Sequence, residues 1–218
     1  MAEYLVPLGK PEKEIRVKNS RFIASLSLAT SVRSANAFIQ HIEKKYPDAS
    51  HHVPAYIIGH GASKISHAND DGEPSGTAGR PALAVLEGSG LGDVVIVITR
   101  YFGGTKLGTG GLVRAYSDAV RSVLNVTSKA KKVKAHVIEL SLPYSYYDTI
   151  SKMVREFGGN EDNADFGGDV KMTLHIPSSS FEKFKNRILE ITSGAVVPCL
   201  VSTDENLLLP IANYSDKG

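Results

Sequence analysis

Between residues 138 and 201 the apolar pattern switches back and forth between two periods, and the order of the switches narrows the fold more than any other feature. Ile138, Leu140 and Leu142 alternate with polar residues, as on a strand with one buried face. Tyr147, Ile150, Val154 and Phe157 then recur at helical spacing, with Ser145 and Asp148 placed as a capping box and Gly158-Gly159 as the stop. Residues 160–166 read as a strand, and Val170, Met172, Leu174 and Ile176 as the next. Ser179 and Glu182 make a second capping box ahead of Phe181, Phe184, Ile188 and Ile191, a helix ended by Gly194, and residues 196–201 close the series as a strand. That is β-α-β-β-α-β in about 70 residues, the ferredoxin-like module with a four-stranded antiparallel sheet and two helices on one face.

The first half of the chain has its own pattern. Phe22, Ala24, Leu26 and Leu28 alternate as a strand, and Ala35, Phe38, Ile39, Ile42 and Tyr46 line one face of a helix stopped at Pro47. Residues 53–59 read as a strand and 78–87 as a short helix with Pro81 in its first turn. The unbroken apolar run 94–99 suits one buried strand, and the stripe from Leu112 to Leu124 is helical. Lys129, Lys131, Lys132 and Lys134 then crowd a segment with little to bury. It reads as a solvated linker or the basic end of a helix, with an anion-binding arm as the alternative. The expectation is an α+β chain of two domains, 1–132 and 133–218.

Charge divides at the same place. Residues 1–134 carry 18 Lys and Arg against 11 Asp and Glu; residues 135–218 carry 7 against 12. A polyanionic partner should prefer the first domain, although a surplus this mild does not identify a nucleic-acid binder. The single cysteine, Cys199, excludes an internal disulfide and any multi-cysteine metal site. The start, Met1-Ala2-Glu3-Tyr4, has no basic-then-apolar leader, and no apolar stretch approaches the roughly 20 residues needed to span a bilayer. A cytoplasmic protein without membrane contact is expected.

Two loops carry the candidate chemistry. The first, residues 70–79, reads DDGEPSGTAG; the second, residues 102–111, reads FGGTKLGTGG. Loops so rich in glycine are shaped for geometry, and the two are expected to face each other across one groove. In the first, Asp70, Asp71 and Glu73 could hold Mg²⁺ or Ca²⁺, but Asp and Glu also suit the start of a helix, and the structural cap, which explains them without metal, is the favoured reading. Ser75 and Thr77 are possible nucleophiles without an assignable His-Asp partner. His51, His52, His60 and His67 lie upstream, yet the His51-His52 pair points to opposite faces of a strand. The second loop enters a helix, where free N–H groups with Lys106 and Arg114 can attract an anion, or where the glycines only permit close packing. It is neither a Walker loop nor a dinucleotide fingerprint.

Residues 70–116, with DDGEPSGTAGRP followed by VITRYFGGTKLGTGGLVRAY, resemble the signature of the IMPACT family, and weaker agreement runs through Phe22-Ile23-Ala24 and residues 51–56. From about residue 134 the chain is similar to the small C-terminal domain of bacterial members. The resemblance implies a first domain like the second domain of ribosomal protein S5 and a ferredoxin-like second domain like the last domain of elongation factor G. Eukaryotic members are translational regulators with an extra N-terminal domain, so their partner does not transfer here; bacterial members are suspected to bind nucleic acid or the ribosome. No enzymatic activity and no cofactor are implied. Where members commonly carry a cysteine, this chain has Val53, which excludes thiol chemistry there.

The expected function is therefore a translation-associated regulatory protein whose partner is RNA, the ribosome or a ribosome-associated protein. The candidate binding residues are Asp71, Glu73, Ser75, Thr77, Arg80, Arg100, Lys106, Thr109, Gly110 and Arg114, with Tyr101, Phe102 or Tyr116 available to stack a base. The alternatives are a Mg²⁺-dependent phosphoester hydrolase built on Asp70, Asp71 and Glu73, and a module whose groove receives a peptide.

Overall fold

The computed structural model describes residues 3–211, which divide into two compact units, Tyr4–Lys131 and Lys132–Leu209. In the first, strands β2 (Glu12–Val17), β3 (Ser20–Leu28), β4 (His51–Ile58), β5 (Ile65–Ala68) and β6 (Val94–Tyr101) form an antiparallel sheet in the order β2-β3-β6-β4-β5. A short strand, β1 (Tyr4–Leu8), is anchored by the Tyr4 hydroxyl, which donates to Asp93 at 2.7 Å.

Strand parity sorts the side chains. Val94, Ile96 and Ile98 of β6 join Phe22, Ala24, Leu26, Val53, Ala55 and Ile57 beneath helices α2 (Gly79–Gly88) and α3 (Thr109–Leu124). Val95 packs on the opposite face with Tyr56, Ala29 and Ala35, the last from helix α1 (Val32–Lys45). With helices on both faces, β6 can be apolar at every position from Val94 to Ile98. Each fully buried aliphatic side chain in it contributes ~1.5–3 kcal/mol. Helix α3 begins at Thr109, three residues before its apolar stripe, because Gly108 takes φ +74° and turns the chain into the helix.

In the second unit β7 (Ser128–Leu142), β8 (Asn160–Phe166), β9 (Val170–Pro177) and β10 (Cys199–Pro210) lie in the order β10-β7-β9-β8. Helices α4 (Tyr144–Glu156) and α5 (Phe181–Ile191) cover one face, burying Ile150, Val154, Phe184 and Ile188 against Ile138, Leu142, Met172 and Leu174. This is the ferredoxin-like arrangement, and the chain as a whole is α+β.

Four local expectations need correction. The lysine-rich segment is not a linker: Ala130, Val133 and Ala135 are buried between the lysines as part of β7, and Lys134 pairs with Glu205 at 2.7 Å. Ser145 caps nothing, because Pro143 holds the N-cap position of α4 and places Ser145 inside the first turn. At α5 the N-cap is Ser180, one residue beyond Ser179, and it makes no side-chain cap bond. The final strand starts after Pro198 and runs to Pro210, because ladder pairing with β7 carries it through the polar stretch Asp204-Glu205-Asn206.

Candidate functional site

Arg100 continues the inward-facing row of β6 begun by Val94, Ile96 and Ile98, so strand parity drives a guanidinium into the core. It is 5% exposed. Its cross-strand neighbours are Phe22 on β3 and His51 on β4. A charge so placed requires a partner, and the first loop supplies Glu73, whose Oε1 accepts from Arg100 Nη1. The Tyr116 hydroxyl donates to the same oxygen at 2.8 Å, and His51 Nε2 stands 3.9 Å away. The rings of Phe22 and Phe102 flank the guanidinium at 5.4 and 5.6 Å. Burial first, then the bond to Glu73 and its charge, push the Tyr116 phenol far above its ordinary value, so it remains a donor.

The rest of the first loop is held as firmly. The Asp70 carboxylate accepts from the N–H groups of Gly76, Ala78 and Gly79 at 2.7, 3.0 and 2.8 Å. Burial alone would raise its pKa; the three N–H groups and the Arg80 charge outweigh burial and hold it below the usual range. Asp70 thus closes the start of α2, where Pro81 has no N–H to offer. Asp71 sits at φ +45° and Gly72 at +81°. The Asp71 carboxylate accepts from the His52 N–H at 2.5 Å, and its carbonyl meets His51 Nδ1 at 2.6 Å, which places the proton on Nδ1. Thr77 is buried and its hydroxyl donates to the Pro74 carbonyl at 2.6 Å, whereas Ser75 is exposed.

The three carboxylates of the loop therefore go to separate partners. Asp70 serves the α2 backbone, Asp71 the β4 backbone, and Glu73 the Arg100–Tyr116 pair. They do not converge, and among the described residues no group of three His, Cys, Asp or Glu is placed to hold a metal ion. The hydrolase alternative loses the geometry on which it stood.

The second loop divides by function. At Gly103 a Cβ would fall 2.0 Å from the Asn19 carbonyl carbon, so this glycine permits two backbones to touch. Its N–H donates to Ser20 Oγ at 3.2 Å. Gly110 has nothing within 4 Å of that position and no packing reason to be glycine. Helix α3 has no side-chain cap, so the first-turn N–H groups at Thr109 and Gly110 face outward, with Lys106 and Arg114 exposed nearby. Among the described residues neither Lys106 nor Arg114 forms an ion pair.

Several sequence-derived assignments change in this light. Arg100 is not a surface phosphate contact, because it is buried and neutralised by Glu73. Tyr116 is fully buried and cannot stack a base, while Phe102 is 49% exposed. A groove lies between α2 and α3, while Glu73 of the first loop and Phe102 of the second both meet Arg100 at the end of the sheet. Gly76, Arg80, Pro81, Ala84, Val85, Gly88, Val113, Ser117 and Arg121 line this shallow, open depression of about 720 Å³. Of the ten candidate residues only Arg80 lines it. His51 and Ser20, which complete the Arg100 environment, were not anticipated; the signal was the parity that carries position 100 inward.

The fold is thus a two-domain α+β chain whose N-terminal unit joins a first loop pinned by a buried Glu–Arg–Tyr cluster to an exposed, cationic start of α3. Known proteins are similar to this chain. The Impact N-terminal domain model matches residues 18–124, and a domain of unknown function (DUF1949) matches residues 140–195. An IMPACT family member of Haemophilus influenzae is 35% identical over 94% of this chain and 100% of its own length. YvyE of Bacillus subtilis is 38% identical over 84% of each. A crystal structure described as a hypothetical protein aligns at 32% identity with TM-score 0.62, covering 93% of this chain and 98% of that one. The two-domain translational regulator Yih1 aligns at 25% identity over 55% of this chain and 47% of its own, with TM-score 0.39, too low a likeness to transfer anything. The chain belongs to the IMPACT family. No helix among the described residues is long and apolar enough to cross a membrane.

Proposed function

We propose that this protein is a translation-associated regulator that binds without catalysis, and that its N-terminal unit contacts RNA at the start of α3. The single observation that carries this is the uncapped first turn at Thr109 and Gly110 between the exposed cations Lys106 and Arg114. Backbone N–H groups at a helix start and two flanking cations make an electropositive spot suited to phosphate. Helix α2 offers the contrast, since Asp70 already occupies its start. The cationic surplus of residues 1–134 adds a field of the same sign. Membership of a family whose eukaryotic branch regulates translation supplies the cellular context. Phe102, half exposed on the second loop, is an auxiliary contact.

Filter binding of a labelled single-stranded RNA across a salt series tests this. Affinity should fall linearly in log–log form, and K106A/R114A should reduce the slope by about 1.4, corresponding to two lost phosphate contacts on a single strand. A slope unchanged by that double substitution would refute the site. Capture from extract with and without ribonuclease separates an RNA partner from a protein one.

A further inference from the structure

We infer that the groove between α2 and α3 is a docking site for a short acidic amphipathic helix of a partner protein, a surface separate from the start of α3. Its α2 wall is Arg80, Pro81, Ala84, Val85 and Gly88, and its α3 wall is Val113, Ser117 and Arg121. These positions are spaced alternately one and three residues apart on α2 and four apart on α3, so each wall is a single helical stripe. The eight helical steps from Arg80 to Gly88 extend about 12 Å, the length of two turns of an incoming helix.

The chemistry selects the occupant. Between the two arginines the lining is apolar and small: Pro81, Ala84, Val85 and Val113, the last 37% exposed. No aromatic side chain is there to stack a base, so RNA has nothing to hold beyond two charges. No carboxylate lines the groove. On α2, Glu87 is turned away to Lys64 at 2.7 Å, and on α3, Asp118 is engaged with Arg121 at 2.8 Å across a solvent-exposed pair of the weak kind. A complementary segment therefore carries apolar residues at i, i+3 or i+4, and i+7, with carboxylates at both ends for Arg80 and Arg121. That is helix-in-groove recognition, with the apolar residues as anchors and the charges setting register.

A fluorescein-labelled peptide of leucines at that spacing, flanked by glutamates, provides the probe, with a scrambled peptide of equal charge as control. Fluorescence anisotropy should show saturable binding, and the scrambled peptide should bind at least tenfold more weakly. Filling the trough with A84W and reversing its ends with R80E/R121E should each weaken binding at least tenfold. Both alter exposed side chains, and unchanged thermal unfolding by circular dichroism confirms that they fold. K106A/R114A should bind the peptide like wild type even as it loses RNA, so failure here and failure of the RNA reading are separable. Absence of saturation, equal binding of the scrambled peptide, wild-type affinity in A84W, or displacement of the peptide by RNA would each overturn the inference.

Discussion

The Tyr116 hydroxyl and the Glu73 carboxylate meet at 2.8 Å although they lie 43 residues apart, one on α3 and one in the first loop. The oxygen they share also takes the Arg100 guanidinium, so helix, loop and central strand close on one buried atom. Removing the carboxylate leaves Arg100 charged in the core with no partner. Glu73→Ala should therefore destabilise the N-terminal unit by about 3–5 kcal/mol, read as a lowered urea midpoint. Replacing both partners, as Glu73→Leu with Arg100→Met, should cost much less than the single change, because no orphaned charge remains. A double variant no better than Glu73→Ala would show that the pair acts through packing alone.

Tyr116 gives the cluster an alkaline signature. Its folded-state value lies above the unfolded one, so its contribution is fully present below about pH 10 and fades as pH rises beyond that, where only the unfolded chain ionises. Wild-type stability should fall above pH 10 with an extra slope approaching about 1.4 kcal/mol per pH unit that Tyr116→Phe lacks. At pH 7 the same substitution should cost about 1.5–3 kcal/mol through loss of a bond to a charged acceptor. Parallel alkaline slopes in the two proteins would contradict the assignment.

Asp70 behaves in the opposite sense. Its folded-state value is depressed, so the stabilisation is present above about pH 4 and disappears as pH falls through the lower, folded-state value. Asp70→Ala should cost about 1–2 kcal/mol at neutral pH, as expected for a lost N-terminal cap, and should flatten the acid limb of the stability curve. Urea midpoints between pH 5 and pH 2, as approximate limits, test both effects. The carboxylate is engaged with the backbone of Gly76, Ala78 and Gly79, so this variant should bind RNA as wild type does while folded.

Period and parity explain how much of this was readable from residues alone. The β-α-β-β-α-β order survives because each element there buries a regular stripe, from Ile138 to Ile188. The cap function of Asp70 followed from an acid ahead of a helix. The Glu73–Arg100 pair was within reach, since counting by twos from Val94 puts Arg100 among the inward residues. What parity cannot provide is the path of residues 70–78, which depends on left-handed backbone at Asp71, Gly72 and Gly76. Hence Arg100 looked like a surface cation and the three carboxylates like one cluster. The start of β7 was hidden for another reason: Ala130 and Val133 are small and sit among lysines, so burial there comes from ladder pairing and not from a visible stripe.

Two glycines of the second loop should respond in opposite ways. At Gly103 an added methyl would lie 2.0 and 2.1 Å from the Asn19 carbonyl carbon and oxygen, both backbone atoms that cannot move aside without parting the ends of β2–β3 from β6. Gly103→Ala should unfold or severely destabilise the N-terminal unit. At Gly110 the added methyl meets open space inside the first turn of α3, so Gly110→Ala should be neutral or stabilise by up to about 1 kcal/mol through helix propensity. The N–H at residue 110 persists in that variant, but the methyl now stands where a phosphate must approach the helix start. RNA affinity should drop several-fold in a protein that is no less stable, which identifies Gly110 as a residue kept small for its ligand. If Gly110→Ala gains stability and binds RNA as wild type does, phosphate does not reach the α3 backbone, and the contact must be confined to the Lys106 and Arg114 side chains.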